Sequence, residues 1–233
     1  MPLKPFKQND RRATPRIDFD AGIDILGRIV EVVSGRPFEG FLHERVFQPL
    51  GMMDTTFYPT EKQLTRLATM YRKDKMTGKL VAAPSGTIGP PKDARYPISA
   101  GGLYSTGPDL ARLYQMMLNG GALNNQRILS AESVKAMTIS YTGDLPAGFS
   151  PGMGWGLGWG VVRKPEGMTE MLAPGAYGHG GGTGPQGWID PRQEPVSHHA
   201  HPAPGYVARG RIQDSSRIPG NGGRSNEEVN PRV

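Results

Sequence analysis

The sequence contains no cysteine, which excludes disulfides, thiolate metal sites and cysteine nucleophiles while leaving the compartment open. It has no run of 18 apolar residues, so no segment reads as a membrane-spanning helix. The opening stretch MPLKPFKQNDRRATPR lacks the apolar middle of a signal peptide. A one-sided charge is also missing once the net +6 is divided along the chain. Residues 1–18 carry five basic and two acidic groups, residues 196–233 five and three, and the middle 17 and 16. A nucleic-acid groove needs clustered Lys and Arg with aromatic platforms. Here the excess sits in the two ends, so no nucleic-acid partner is expected.

Glycine and proline, by contrast, are abundant: 33 and 22 in 233 residues, which implies many turns. A chain of this length supports one domain, and we place it at residues 18–195. An irregular basic leader (1–17) precedes it and a tail (196–233) follows. The tail has five Gly, four Pro and few apolar residues, Val207, Ile212, Ile218 and Val229 among them. It lacks the apolar surface to offset ordering and is expected to be disordered.

Amphipathic spacing locates the helices. After Asp24, the residues Ile25, Leu26, Ile29, Val30 and Val33 recur at helical intervals, and Gly35 is a natural left-handed cap before Pro37. Phe38, Phe41, Leu42 and Val46 predict a second short helix ending before Pro49-Leu50-Gly51. Thr60 and Gln63 predict a capping box ahead of Leu64, Leu67, Ala68 and Tyr71. Residues 72–98 mix charges with Gly and Pro and read as a long surface excursion. Thr106 and Asp109 read as a cap and its reciprocal partner for a core helix presenting Leu110, Leu113, Tyr114 and Met117, stopped by Asn119-Gly120-Gly121. Ser130 caps another helix, with Leu129 and Val134 as its hydrophobic staple.

Farther on the period changes. Trp155, Leu157, Trp159 and Val161 alternate with Gly156, Gly158, Gly160 and Val162, while Tyr177 to Gly182 and Gln186 to Ile189 are short runs between Gly and Pro. These read as antiparallel strands. The expected fold class is therefore α+β, an antiparallel sheet packed with helices. The most distinctive run is Tyr177-Gly178-His179-Gly180-Gly181-Gly182-Thr183-Gly184, followed by Gln186-Gly187-Trp188-Ile189-Asp190-Pro191. A phosphate-cradling reading, with its accompanying helix or Lys and hydroxyl, does not fit this run. The glycines instead offer a strand edge that a ligand can approach closely, with the imidazole of His179 at its start.

Other stretches carry a resemblance. They are Ala21 to Gly35 (AGIDILGRIVEVVSG), Val46 to Phe57 (VFQPLGMMDTTF), Ser99 to Thr106 (SAGGLYST), Met116 to Gly121 (MMLNGG), Trp155-Gly156-Leu157-Gly158-Trp159, and Gly178-His179-Gly180-Gly181. In order and spacing the chain resembles the serine β-lactamase and penicillin-binding-protein-like family, in the branch of class C β-lactamases, DD-peptidases and related esterases. The resemblance implies a β-lactamase/transpeptidase-like fold and hydrolysis of a β-lactam, a peptidoglycan peptide or an ester through an acyl-serine, without a cofactor. It implies a Ser in an S-x-x-K turn whose Lys takes the Ser proton, a relaying Tyr in a Y-x-N loop, and an edge strand bearing K-T-G, H-T-G or H-G-G. His179, Gly180 and Gly181 match that strand motif, and the N–H of Gly182 falls where an oxyanion donor is expected. The implied partner is a small acyl substrate or peptidoglycan-like ligand, and family members are often periplasmic or secreted.

The other two motifs depart from the family. No Ser has Lys three residues on: Ser34 is followed there by Pro37, Ser99 by Gly102, Ser130 by Ser133 and Ser133 by Ala136, so no nucleophile is found. Where the family writes Tyr-Ser-Asn or Tyr-Ser-Asp, this chain reads Asp18-Phe19-Asp20, of which only Asp20 is compatible as a remnant. Past Asp190-Pro191 the expected apolar strand and closing helix give way to His, Pro, Gly and Arg. We therefore expect a domain incomplete and frame-disrupted at both ends, and a chain inactive as a hydrolase. The alternative is a non-catalytic remnant or ligand-binding pseudo-enzyme. Two further readings are weaker. His198, His199 and His201 lack the nearby carboxylates of a metal site, so no metal is expected. Ile98-Ser99-Ala100-Gly101 approaches an esterase elbow but has Pro97 in place of the first Gly.

Overall fold

The computed structural model describes residues 20–82, 96–145, 147, 151–180 and 185–192, together with the backbone of 206–208. Helix α1 (Asp20–Ser34) starts ahead of Asp24, in keeping with the preference for acidic residues at the positive end of a helix dipole. It ends as expected at Gly35, whose φ of 65° and N–H bond to the Glu31 carbonyl (2.9 Å) close the last turn. Helix α2 (Phe38–Leu42) runs through a π-helical turn (His43–Phe47) into α3 (Gln48–Leu50). The capping box forms around α4 (Glu61–Leu64): the Thr60 N–H donates to Gln63 Oε1 at 2.8 Å and the Gln63 N–H to Thr60 Oγ1 at 3.3 Å. This helix stops before Leu67, Ala68 and Tyr71.

The predicted surface excursion begins instead as a hairpin. Strands β1 (Met70–Lys73) and β2 (Leu80–Ala82) pair antiparallel, Tyr71 opposite Ala82. The Asp74 carboxylate caps the turn by accepting N–H bonds from Met76 (3.1 Å) and Thr77 (2.7 Å). Residues 83–95 lie outside the described set. Within the tail, β9 (Tyr206–Ala208) pairs with the other edge of β1.

Helix α5 (Gly107–Leu118) is capped by Thr106, whose Oγ1 accepts from the Asp109 N–H. Asp109 does not reciprocate. Its buried carboxylate accepts from the Asp54 N–H (2.8 Å) and the Thr55 hydroxyl (2.9 Å), tying α5 to the segment after α3. A short hairpin, β3 (Ala122–Leu123) and β4 (Gln126–Arg127), leads to α6 (Ala131–Met137), capped by Ser130 as expected.

The main sheet is antiparallel, with order β5 (Met153–Trp155), β6 (Gly160–Val162), β7 (Tyr177–Gly180), β8 (Gln186–Ile189). The run expected as one strand over 155–162 is a hairpin, turned by the Gly156 N–H bond to the Trp159 carbonyl at 2.7 Å. Alternation sorts the strands' side chains onto two faces. Val161, Tyr177 and Ile189 pack with Tyr114, Met116 and Met117 of α5 and with Phe47 and Leu50; Met153, Trp155, Val162 and Trp188 pack with Leu172 and Ala176. The expected α+β architecture, an antiparallel sheet packed with helices, is the one observed.

The apolar stripe of α1 does not face the core: Ile25, Leu26, Ile29, Val32 and Val33 remain 49–81% exposed among the described residues. The helix docks through its opposite side. Ser99 fills the space a Cβ at Gly27 would need, and the Glu31 carboxylate accepts the Phe38 N–H at 3.0 Å.

Candidate functional site

The His-Gly-Gly motif starts on β7. Strand β6 pairs with β7 only at Tyr177 and Gly178, whereas β8 continues alongside, His179 opposite Gly187 and Gly180 opposite Gln186. The strand expected to be an edge is thus internal over its first half. It becomes an edge at His179–Gly180, where the pairing with β6 has ended. Backbone at such a half-edge is within reach of a ligand without loss of the strand's anchorage on β8.

His179 is the exposed residue of β7. Its Nδ1 lies 2.7 Å from the Gly180 carbonyl oxygen. A carbonyl only accepts, so Nδ1 carries the proton. The imidazole also stands edge-on to the buried Trp155 ring, centroids 5.3 Å apart at 79°. Gly180 is covered by the Gln186 side chain, which a Cβ there would strike; Gln186 Oε1 accepts from the Trp188 indole N–H at 3.2 Å. Gly181 and Gly182, the remaining strand-motif positions, lie outside the described residues. Asp20 is the first residue of α1 and thus inside the helix, not in the loop before it.

On the α5 side of the sheet, the Tyr114 hydroxyl sits where a Cβ of Gly187 would be, and Tyr114, Trp159 and Tyr177 form a chain of edge-to-face contacts at 6.0 and 5.5 Å. Burial pushes the phenols of Tyr114 and Tyr177 up to about 12. At neutral pH both are protonated and act as neutral hydrogen-bonding groups, not as bases.

A separate concavity of about 440 Å³ lies between α1, the start of α2 and residues 96–99, lined by Asp24, Glu31, Phe38, Tyr96 and Ser99 among others. Hydrogen bonds from Arg28 and from the Phe38 N–H hold the Glu31 carboxyl below its ordinary range. Ser99 enters a turn closed by the Gly102 N–H bond to the Ile98 carbonyl at 2.8 Å, and the described residues just before it, 96–98, form no strand, unlike the setting of an esterase elbow. Among the described residues no imidazole lines this concavity. Among the described residues no cluster of three or more His, Asp or Glu could hold a metal, and no helix is long and apolar enough to cross a membrane. His198, His199 and His201 lie outside the described residues.

Sequence reasoning missed Trp155 as a neighbour of His179 and Tyr114 as a neighbour of Gly187. The available signal was Gly158: a hairpin turn there, φ 84°, places Trp155 opposite Gly160 of β6, the strand that pairs with β7.

The chain is 33% identical over 184 residues to the "Putative D-alanyl-D-alanine carboxypeptidase" of Escherichia coli (strain K12), a match covering 74% of this chain and 41% of that protein. It therefore spans less than half the length of that relative. Among solved structures, the octameric penicillin-binding protein homologue from Pyrococcus abyssi matches with a TM-score of 0.56 and 26% identity, over 79% of this chain and 38% of that one. EstCE1, a hydrolase with promiscuous acyltransferase activity, matches with a TM-score of 0.57 and 25% identity, over 73% and 47%. A family model described as Beta-lactamase covers residues 19–203, so the sequence motifs, the sheet that carries His179 and the match along most of its length identify this chain as a member of the beta-lactamase family.

Proposed function

We propose that this chain forms the ligand-facing strand wall of an acyl-serine hydrolase site, and that the 233 residues alone bind an acyl ligand without carrying out acyl transfer. The ligand class is a β-lactam, a peptidoglycan-type peptide ending in a D-amino acid, or an ester. The observation that carries this reading is the half-edge at His179–Gly180, where an imidazole and strand backbone stand together beyond the end of the pairing with β6. An amide N–H or hydroxyl of the ligand would donate to the imidazole Nε2, and the N–H groups of Gly181 and Gly182 would serve its acyl oxygen. Covalent chemistry needs an activated nucleophile, and no Ser of this sequence has the Lys three residues on that would take its proton. Without one, a binding and oxyanion site supplies only residual catalysis, roughly 10³–10⁴ over water.

The experiment pairs two readouts on the 233-residue chain. Mass spectrometry after incubation with a β-lactam or an activated ester is expected to find no acyl adduct. Amide chemical shifts of β7 and β8 are expected to move on titration with an N-acyl-D-alanine peptide, and not to move in H179A. A stable adduct on any Ser overturns the non-covalent half of the proposal; identical shift changes in H179A overturn the assignment of the site.

A further inference from the structure

We infer that Trp155 is a positioning residue, which holds the His179 imidazole in one orientation and one tautomer so that Nε2 is the ring nitrogen turned to a ligand. The inference starts from a row across the sheet. Trp155 of β5, Gly160 of β6, Gly178 of β7 and Trp188 of β8 are cross-strand neighbours. Directly opposed residues share one face of a sheet, so two indoles flank two positions without side chains. Each indole lies over its neighbouring glycine. A Cβ at Gly160 would come within 3.1 Å of Trp155 Cζ3, and one at Gly178 within 2.7 Å of Trp188 Cε3.

Gly160 therefore lets the Trp155 ring lie across β6; His179 alternates to the other face with Tyr177, but beyond the end of β6 its imidazole meets the Trp155 ring edge-to-face at 5.3 Å and 79°. Trp155 is itself 7% exposed and fixed within the cluster of Met153, Val162 and Trp188, so it is a rigid stop for the imidazole. The Nδ1 contact to the Gly180 carbonyl, 2.7 Å, then selects the tautomer: Nδ1 is the donor and Nε2 carries the lone pair. An exposed histidine on a strand would otherwise exchange between rotamers and between tautomers. The functional consequence rests on the reading of His179 as ligand-facing. The tautomer itself does not, because it is observable with no ligand present.

The test is a nitrogen-15 correlation spectrum of the histidine side chains in the full chain at about pH 8, above the ordinary imidazole range, with the His179 signals assigned by their loss in H179Q. The unsubstituted chain is expected to show a pyrrole-type Nδ1 and a pyridine-type Nε2, fully separated. In W155L the two signals are expected to collapse toward the tautomer average, and in W155F, which keeps an aromatic wall, to stay apart. A wild-type spectrum that is already averaged, or that shows Nε2 protonated, overturns the inference whether or not W155L folds. So does a folded W155L with unchanged separation. Failure of the peptide titration with this spectrum intact would refute the proposed ligand site and leave the positioning role standing.

Discussion

The Asp109 carboxylate accepts a hydrogen bond from the Thr55 hydroxyl at 2.9 Å, across 54 residues of sequence, and both side chains are buried. The same Oδ2 takes the Asp54 N–H, and Thr55 Oγ1 is also 2.8 Å from Ser105 Oγ. One acidic side chain in the first turn of α5 thereby anchors the segment after α3 to the helix that packs on the main sheet.

Removing that anchor leaves the half-buried Asp54 N–H and the buried Thr55 hydroxyl without their carboxylate acceptor. D109A is expected to destabilise the chain by roughly 2–4 kcal/mol in urea unfolding. T55V should cost less, and the two changes together should fall short of their sum because they share one hydrogen bond. Strict additivity would show that the bond contributes nothing.

Gly187 and Tyr114 form a steric pair. A methyl group at 187 collides with the Tyr114 hydroxyl, so G187A is expected to lower stability by about 1–3 kcal/mol. Y114F removes the colliding oxygen, and G187A should be markedly milder in that background. Equal costs in both backgrounds would place the strain elsewhere.

Tyr114 and Tyr177 are expected to act at the alkaline end. Burial favours their neutral phenols and raises both from 10.0 to about 12. A raised value means that their contribution to stability is whole below pH 10 and is lost as pH climbs from 10 toward 12. Ultraviolet titration should show late-ionising tyrosines whose titration coincides with loss of the near-ultraviolet circular dichroism. The stability lost over that window, relative to the neutral-pH value, should be smaller in Y114F.

Asp54 acts at the acid end. Hydrogen bonds from the Arg66 guanidinium, and a weaker one from Gln63, hold its carboxyl below the ordinary range against the opposing effect of desolvation. A lowered value gives a contribution present above the usual aspartate range and lost as pH falls through the folded-state value, below about pH 4. R66A should make the acid limb of the stability profile shallower. The pair is exposed, so the change is small and should shrink further in high salt.

Short-range chemistry was legible in the residues alone. Thr60, Thr106 and Ser130 cap the helices expected of them, because a side-chain oxygen reaching an N–H three residues on needs only local geometry. The strand Gln186 to Ile189 and the His-Gly-Gly strand followed from Gly and Pro punctuation, and the sequence by itself also determined that no Ser stands three residues before a Lys. Tertiary structure decided everything that depends on distant partners. It sent the Asp109 carboxylate to Thr55 instead of back to its own cap, folded 153–162 into a hairpin that brings Trp155 beside His179, and left the apolar stripe of α1 facing outward. Spacing along a helix or strand states which side chains share a face. Which partner a buried charge takes, and which face meets the core, is settled only when segments far apart in the chain compete for the same hydrogen-bond donors and the same buried area.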